Sequence, residues 1–138
     1  MSLVRFGLSV PKTLIEAFDR HIRRQGYRTR SEAVRDLMRD HLVTAAWEER
    51  GAEVVGTITV VYDHATRELS HSLTDLQHRF HLDVLCATHV HLDARHCLEV
   101  IVVRGPAERV REIADRLISI RGVKHGKLVC TTTGRDLG

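Results

Sequence analysis

Residues 83–104 read DVLCATHVHLDARHCLEVIVVR. Two apolar, β-branched stretches, 83–92 and 97–104, flank the short break Asp93-Ala94-Arg95-His96. That is the pattern of an antiparallel hairpin. Working outward, residues 53–62 (EVVGTITVVY) predict a strand, and 65–79 carry Leu69, Leu73 and Leu76 at helical spacing. On the other side, Pro106 opens a helix with Val110, Ile113, Ala114 and Leu117 on one face, Gly122 caps it, and 123–132 supply a last strand. The order β-α-β-β-α-β is the split βαβ, ferredoxin-like arrangement, an antiparallel sheet with helices on one face.

The first third of the chain has a different pattern. In LVRFGLSV (3–10), Val4, Phe6, Leu8 and Val10 alternate with Arg5, Gly7 and Ser9, which predicts a strand. Pro11 ends it, and Leu14, Phe18 and Ile22 then recur every fourth residue as a helical stripe closed by Gly26. Thr29-Arg30-Ser31-Glu32 fits a capping box for a second helix running to about Trp47. Strand–helix–helix in so few residues cannot bury a sufficient core, and a lone strand leaves both edges unpaired. The simplest remedy is a symmetric dimer in which two copies of the strand pair antiparallel. The outer face of that ribbon shows Arg5, Gly7 and Ser9 from each chain. The fold class is therefore α+β, with a dimeric β-α-α domain at 1–47, a polar linker at 48–52, a βαββαβ domain at 53–133 and a tail at 134–138.

Charge and histidine are segregated along the 138 residues. The net charge is +3, with 21 Lys+Arg against 18 Asp+Glu. Residues 1–39 hold nine basic and four acidic side chains, so the positive excess lies in the first domain and suits a polyanion. Seven of the ten histidines fall between His64 and His96 and suit a metal or a proton. No run of apolar residues is long enough for a transmembrane helix, and the start lacks a signal peptide's apolar segment. Three cysteines without such a signal predict reduced thiols and a cytoplasmic protein.

His89 and His91, at i and i+2 of a strand, point to one face about 6–7 Å apart. The turn at 93–96 returns the chain so that Cys97 opens the neighbouring strand beside them. Two imidazoles and a thiolate are borderline-soft ligands that suit Zn, Ni or Cu. His78, His81, His64 and His96 are candidates for a fourth ligand. Against this stands the plainer reading of solvent-facing histidines with a small buried cysteine. Cys86 faces away from His89 and is expected in the core, Cys130 is expected to be structural, and Trp47 is expected to pack between domains. A zinc enzyme is the competing function. No His-Glu-x-x-His pattern is present, and Glu99 is the single candidate for a general base. A metal-binding protein without DNA is the third class, and the basic first domain argues against it.

The segment GYRTRSEAVRDL (26–37) resembles the ribbon-helix-helix DNA-binding fold. The spacing His78-x10-His89-x-His91-x5-Cys97, followed by Leu98-Glu99-Val100, resembles the nickel-responsive transcriptional regulator family. The resemblance runs from about Val4 to Cys130. It implies a C-terminal ACT-like domain that tetramerises between two ribbon dimers. It implies one Ni(II) per chain in a planar site of His89, His91 and Cys97, with His78 from another subunit. It further implies DNA contacts at Arg5, Gly7 and Ser9 and a second cation, such as K+, at Glu32 and Asp36. Arg30 is expected on DNA phosphate. The expected function is repression of metal-uptake genes at an inverted-repeat operator, not catalysis. Gly7 stands where the family often carries threonine, so no side chain reads the base there. His78-Arg79-Phe80-His81 replaces the histidine run of some members.

Overall fold

The computed structural model describes residues 2–138. Two compact units emerge, one comprising residues up to Leu42 together with Asp136–Gly138, the other Val43–Arg135.

In the first unit, α1 spans Lys12–Arg24 and α2 begins at Arg30. Pro11 accepts hydrogen bonds from the Leu14 and Ile15 amides and so starts α1. At its end, Tyr27 N donates to Ile22 O and Gly26 N to Arg23 O, with Gly26 at φ +91°. That is a Schellman closure, and the left-handed conformation is why glycine stands there. Thr29 Oγ1 accepts from Glu32 N as a capping box requires, but Glu32 reaches back to the amide of Arg28 rather than that of Thr29.

The strand expected over 3–10 is absent among the described residues: 2–10 form no ladder. The expected ribbon pairs this segment with the same segment of a second copy, and one chain alone does not supply that partner. Leu3, Val4, Phe6 and Leu8 are correspondingly 64–85% exposed.

The second unit takes in the end of α2, which runs to Glu48, followed by β1 (Glu53–Asp63), α3 (Leu69–Arg79), β2 (Val84–His91), β3 (His96–Pro106), α4 (Ala107–Ile118) and β4 (Val123–Thr131). The sheet order is β2-β3-β1-β4 and every neighbouring pair is antiparallel. Helix α3 starts four residues later than its leucine spacing suggests. Asp63 holds residues 64–66 in a turn through the Ala65 and Thr66 amides, and Glu68 adopts a positive φ just before the helix.

Period two explains the layers. Val54, Ile58, Val60 and Tyr62 of β1 and Cys97, Ile101 and Val103 of β3 face one side, where Val110, Ile113, Ala114 and Leu117 of α4 cover them. Close approach is needed at Gly126, where a Cβ would stand 2.5 Å from Ile118 of α4. Trp47 is a correction to the sequence reading. It lies in the core of the second unit over Gly56, and its indole N–H donates to Thr131 O at 2.9 Å. Cys86 is a second correction. It does face away from His89, but it is exposed, because the helices cover only the other side of the sheet. Cys130 is also exposed. Among the described residues no helix is long and apolar enough to cross a membrane.

Candidate metal centre and nucleic-acid interface

The β2–β3 hairpin carries the nitrogen and sulfur donors. Its turn is held by Asp93, whose Oδ1 accepts from the Arg95 and His96 amides at 2.8 Å each. Those two N–H donors, with the His96 ring, hold the Asp93 carboxyl far below the usual range. The turn is tied to the end of β1 as well: Arg95 Nη2 donates to Asp63 Oδ2 at 2.6 Å, and His64 N donates to Arg95 O.

This anchoring fixes the register His91↔Cys97, His89↔Glu99 on one side of β3 and Tyr62↔Cys97 on the other. All five side chains share the helix-covered side of the sheet. Cys97 is wholly buried, with Sγ 3.4 Å from His91 Nδ1. The His89 and His91 ring centroids are 5.5 Å apart, close enough for both rings to turn toward one ion. His89 lies edge-on to Tyr62, whose hydroxyl is 3.2 Å from Nε2, and its Nδ1 is 3.5 Å from Glu99 Oε1. Gln77 of α3 donates to the other Glu99 oxygen at 3.2 Å. Burial, and then the nearby Glu99 and Cys97 charges, push the Tyr62 hydroxyl up to about 12, so it remains a neutral hydrogen-bonding group.

The other candidate ligands behave differently. His64 comes edge-on to His91, centroids 6.1 Å apart. His96 is paired with Asp93 and Lys124. His78, on the last turn of α3, is exposed; its carbonyl is bonded by His81, and among the described residues no contact joins it to His89, His91 or Cys97. Among the described residues no three His, Cys, Asp or Glu side chains gather around one point within a single chain. Tyr62 and Gln77 were missed by the sequence reading. Tyr62 continues the inward phase of β1, but its place beside Cys97 depends on the β1–β3 register, which no local motif announces.

In the first unit Arg5, Gly7 and Ser9 are exposed, Gly7 has no atom within 4 Å of where a Cβ would stand, and none of the three makes a side-chain hydrogen bond among the described residues. Arg30 is not free. Its Nε and Nη2 donate to the two Asp19 oxygens at 2.8 and 2.7 Å. Glu32 accepts from the Arg28 amide, while Asp36 accepts from the Tyr27 hydroxyl at 2.6 Å and pairs with Arg39 at 3.1 Å. The two carboxylates thus have separate partners.

Two helices preceded by an exposed apolar segment, joined to a ferredoxin-like unit whose edge hairpin carries imidazoles and a thiol, make a two-part chain with the basic excess in its first part and late-metal donor types in its second. Comparison with known proteins gives the same division. Residues 4–45 match the family described as "Ribbon-helix-helix protein, copG family". Residues 55–131 match the family described as "NikR C terminal nickel binding domain". Among curated relatives, a protein of Thermococcus onnurineus is 56% identical over 99% of both chains. One of Geobacter metallireducens is 58% identical over 97% of this chain and 96% of its own. Each bears the name "Putative nickel-responsive regulator". An uncharacterized protein from Thermotoga maritima, 18% identical with a TM-score of 0.51, covers 56% of this chain and 96% of its own, and shares the fold alone. The chain belongs to the nickel-responsive regulator family.

Proposed function

We propose that the chain is a Ni(II)-dependent repressor of metal-uptake genes that binds an inverted-repeat operator when the metal is bound. The observation that carries this reading is the placement of His89, His91 and the buried Cys97 on one hairpin, with Cys97 Sγ 3.4 Å from His91 Nδ1 and the two imidazole rings 5.5 Å apart, in a chain whose first unit leaves the apolar side chains of residues 3–8 exposed. The donors fit the ion, since imidazole and thiolate are ligands that late first-row metals prefer. His89, His91 and Cys97 would hold one Ni(II) per chain, with His78 from another copy as the fourth ligand. Bound there, the metal would link subunits and favour a single arrangement of them. Metal binding would require neutral imidazoles and a thiolate, and the protein's part would be to orient His89 through Glu99, itself held by Gln77.

The proposed assembly is a tetramer made of two ribbon dimers, in the cytoplasm. Two uncovered surfaces support it: the apolar face of residues 3–10, and the open side of the sheet, where Val90 and Val129 are 40% and 51% exposed. In the ribbon, Arg5 and Ser9 would read the major groove, a groove that admits a two-stranded ribbon, while Gly7 would read nothing with a side chain. Arg30 would contact phosphate. If metal and DNA both select one arrangement of the subunits, each tightens the other by the same factor. A second cation at Glu32 and Asp36 would have to displace Arg39 and the Tyr27 hydroxyl from Asp36.

The test is a Ni(II) titration followed by absorption, then duplex binding by the same sample. Saturation at one ion per chain, with tighter operator binding afterwards, is the expected result. Metal binding that leaves DNA affinity unchanged would remove the regulatory reading and leave a metal-binding protein.

A further inference from the structure

Helices α1 and α2 of the first unit are joined by one bidentate ion pair. Asp19 of α1 takes the Nε–H and one Nη2–H of Arg30, the first residue of α2. The two partners differ in exposure: the Asp19 side chain is 21% exposed and that of Arg30 61%. The carboxylate therefore lies beneath, and the cation is turned outward. The Arg30 guanidinium, with a smaller contribution from the Arg23 charge, holds the Asp19 carboxyl below its usual range, so the pair is ionised at neutral pH.

A guanidinium carries five N–H donors in a rigid plane. Asp19 occupies two of them, on one edge. Both Nη1 hydrogens and the remaining Nη2 hydrogen have no acceptor among the described residues. They form the outward end of the fork, the geometry that recognises a phosphate with two parallel hydrogen bonds. Arg30 is thus held at one edge with its other edge free. Arg28, two residues earlier, has no such anchor for its side chain.

We infer that Asp19 is a positioning residue for DNA-backbone binding, holding the Arg30 guanidinium so that its free edge meets a phosphate oxygen of the duplex. The inference rests on the DNA-binding reading above and adds a residue of the wrong sign to the interface. Charge counting says that a carboxylate near a polyanion weakens binding, so that removing it should help. Orientation says the opposite, because an unanchored arginine must give up side-chain freedom when it binds.

The experiment uses the full-length, nickel-loaded chain and a random-sequence duplex across a series of salt concentrations. The variants are Asp19→Asn, Arg30→Ala and the two together, each measured well below its own melting temperature. Arg30→Ala should weaken binding on any sequence and lower the salt slope by about one. Asp19→Asn should weaken binding by about two- to fivefold, the range of one exposed ion contact. The double variant should bind no more weakly than Arg30→Ala, since Asp19 acts through Arg30. Affinity that is unchanged or higher in Asp19→Asn, or a double variant weaker than Arg30→Ala, overturns the proposal. Should Asp19→Asn fail to fold, Asp19→Glu replaces it under the same criteria, because it keeps the ion pair and moves the fork by one methylene. A wild-type chain that binds no duplex at any salt would instead defeat the DNA-binding reading itself.

Discussion

Among the described residues of the first unit, Ile22 and Ala33 alone are buried apolar side chains, while Phe6, Leu8, Leu14, Leu37 and Leu42 stand 52–73% exposed. The second unit buries a continuous cluster from Trp47 and Val54 through Ile58, Tyr62 and Ile101 to Val110, Ile113 and Leu117. Both units have clean amphipathic patterns, and the difference lies in what each pattern can meet within one chain. Four antiparallel strands and two helices satisfy one another, whereas one strand and two helices do not. The second unit draws its stability from its own core, and the first, on the proposed ribbon reading, would complete its core with another copy.

The hardest blow to this comparison would come from Phe6→Asp. A charge on the apolar side of the expected ribbon strand should abolish pairing, and with it operator binding, by on the order of 100-fold or more, since each buried charge costs several kcal/mol. The thermal transition of the second unit and its metal uptake should be unchanged. A Phe6→Asp chain that still binds DNA like wild type would mean that the first unit folds without a partner, and the contrast between the units would fail.

Cys97→Ala strikes the other unit. Loss of the sole thiolate should reduce nickel affinity by about 100-fold or more, given that even outer partners of a metal ligand are worth 10–100-fold. Secondary structure in the first unit should not change. A sharper form mixes His78→Ala chains with His89→Ala chains. If His78 serves a neighbour's site, mixed assemblies recover part of the nickel capacity that each variant lacks alone. No recovery from folded mixtures would place His78 elsewhere.

Much of the second unit was legible because its decisive signals are local. A four-residue turn sets the register of the β2–β3 hairpin, so His91 opposite Cys97 follows from counting. Leu69 and Leu73, and Val110 through Leu117, show their helices by spacing alone. What escaped depends on distant partners. Tyr62 reaches the site through β1–β3 pairing across more than thirty residues, and Gln77 through the packing of α3. Trp47 looked like an interface residue because it ends a helix before a polar break, yet that helix runs on into the second core. Cys86 looked buried because strand apolarity does not say which side of a sheet is covered. In the first unit the strand over 3–10 was legible as a pattern, but its hydrogen bonds are not available within one chain. The Asp19–Arg30 pair was not read at all, since an acidic residue on a basic helix carries no periodic signal.

Within the second unit, truncating the core should cost more than any surface change. Leu117→Ala, at a wholly buried position under α4, is expected to lower stability by about 2–5 kcal/mol. The denaturation midpoint of the second unit reports this directly. Operator binding should fall only when that unit unfolds. A loss below about 1 kcal/mol would mean that α4 is dispensable to the core, leaving the two units more alike than their burial suggests.

The smallest effect concerns acid. The Asp63 carboxylate is nearly buried and accepts hydrogen bonds from the Ala65 amide and from Arg95, and these hold its carboxyl below the usual range. A group whose folded pKa is depressed stabilises the fold fully above its unfolded value, near 4 for aspartate. That contribution is lost as pH falls through the lower folded value. The hairpin turn at 93–96, tied to β1 by this pair, should therefore loosen below about pH 4. Amide exchange at Arg95 and His96 should speed up there before exchange in the central strands β1 and β3 does. In Asp63→Asn the turn should already exchange faster at neutral pH, and its rate relative to the central strands should change less on acidification. Equal exchange in wild type and Asp63→Asn across that range would show that the turn is held by Asp93 alone, and that the anchoring of the donor hairpin to β1 contributes nothing.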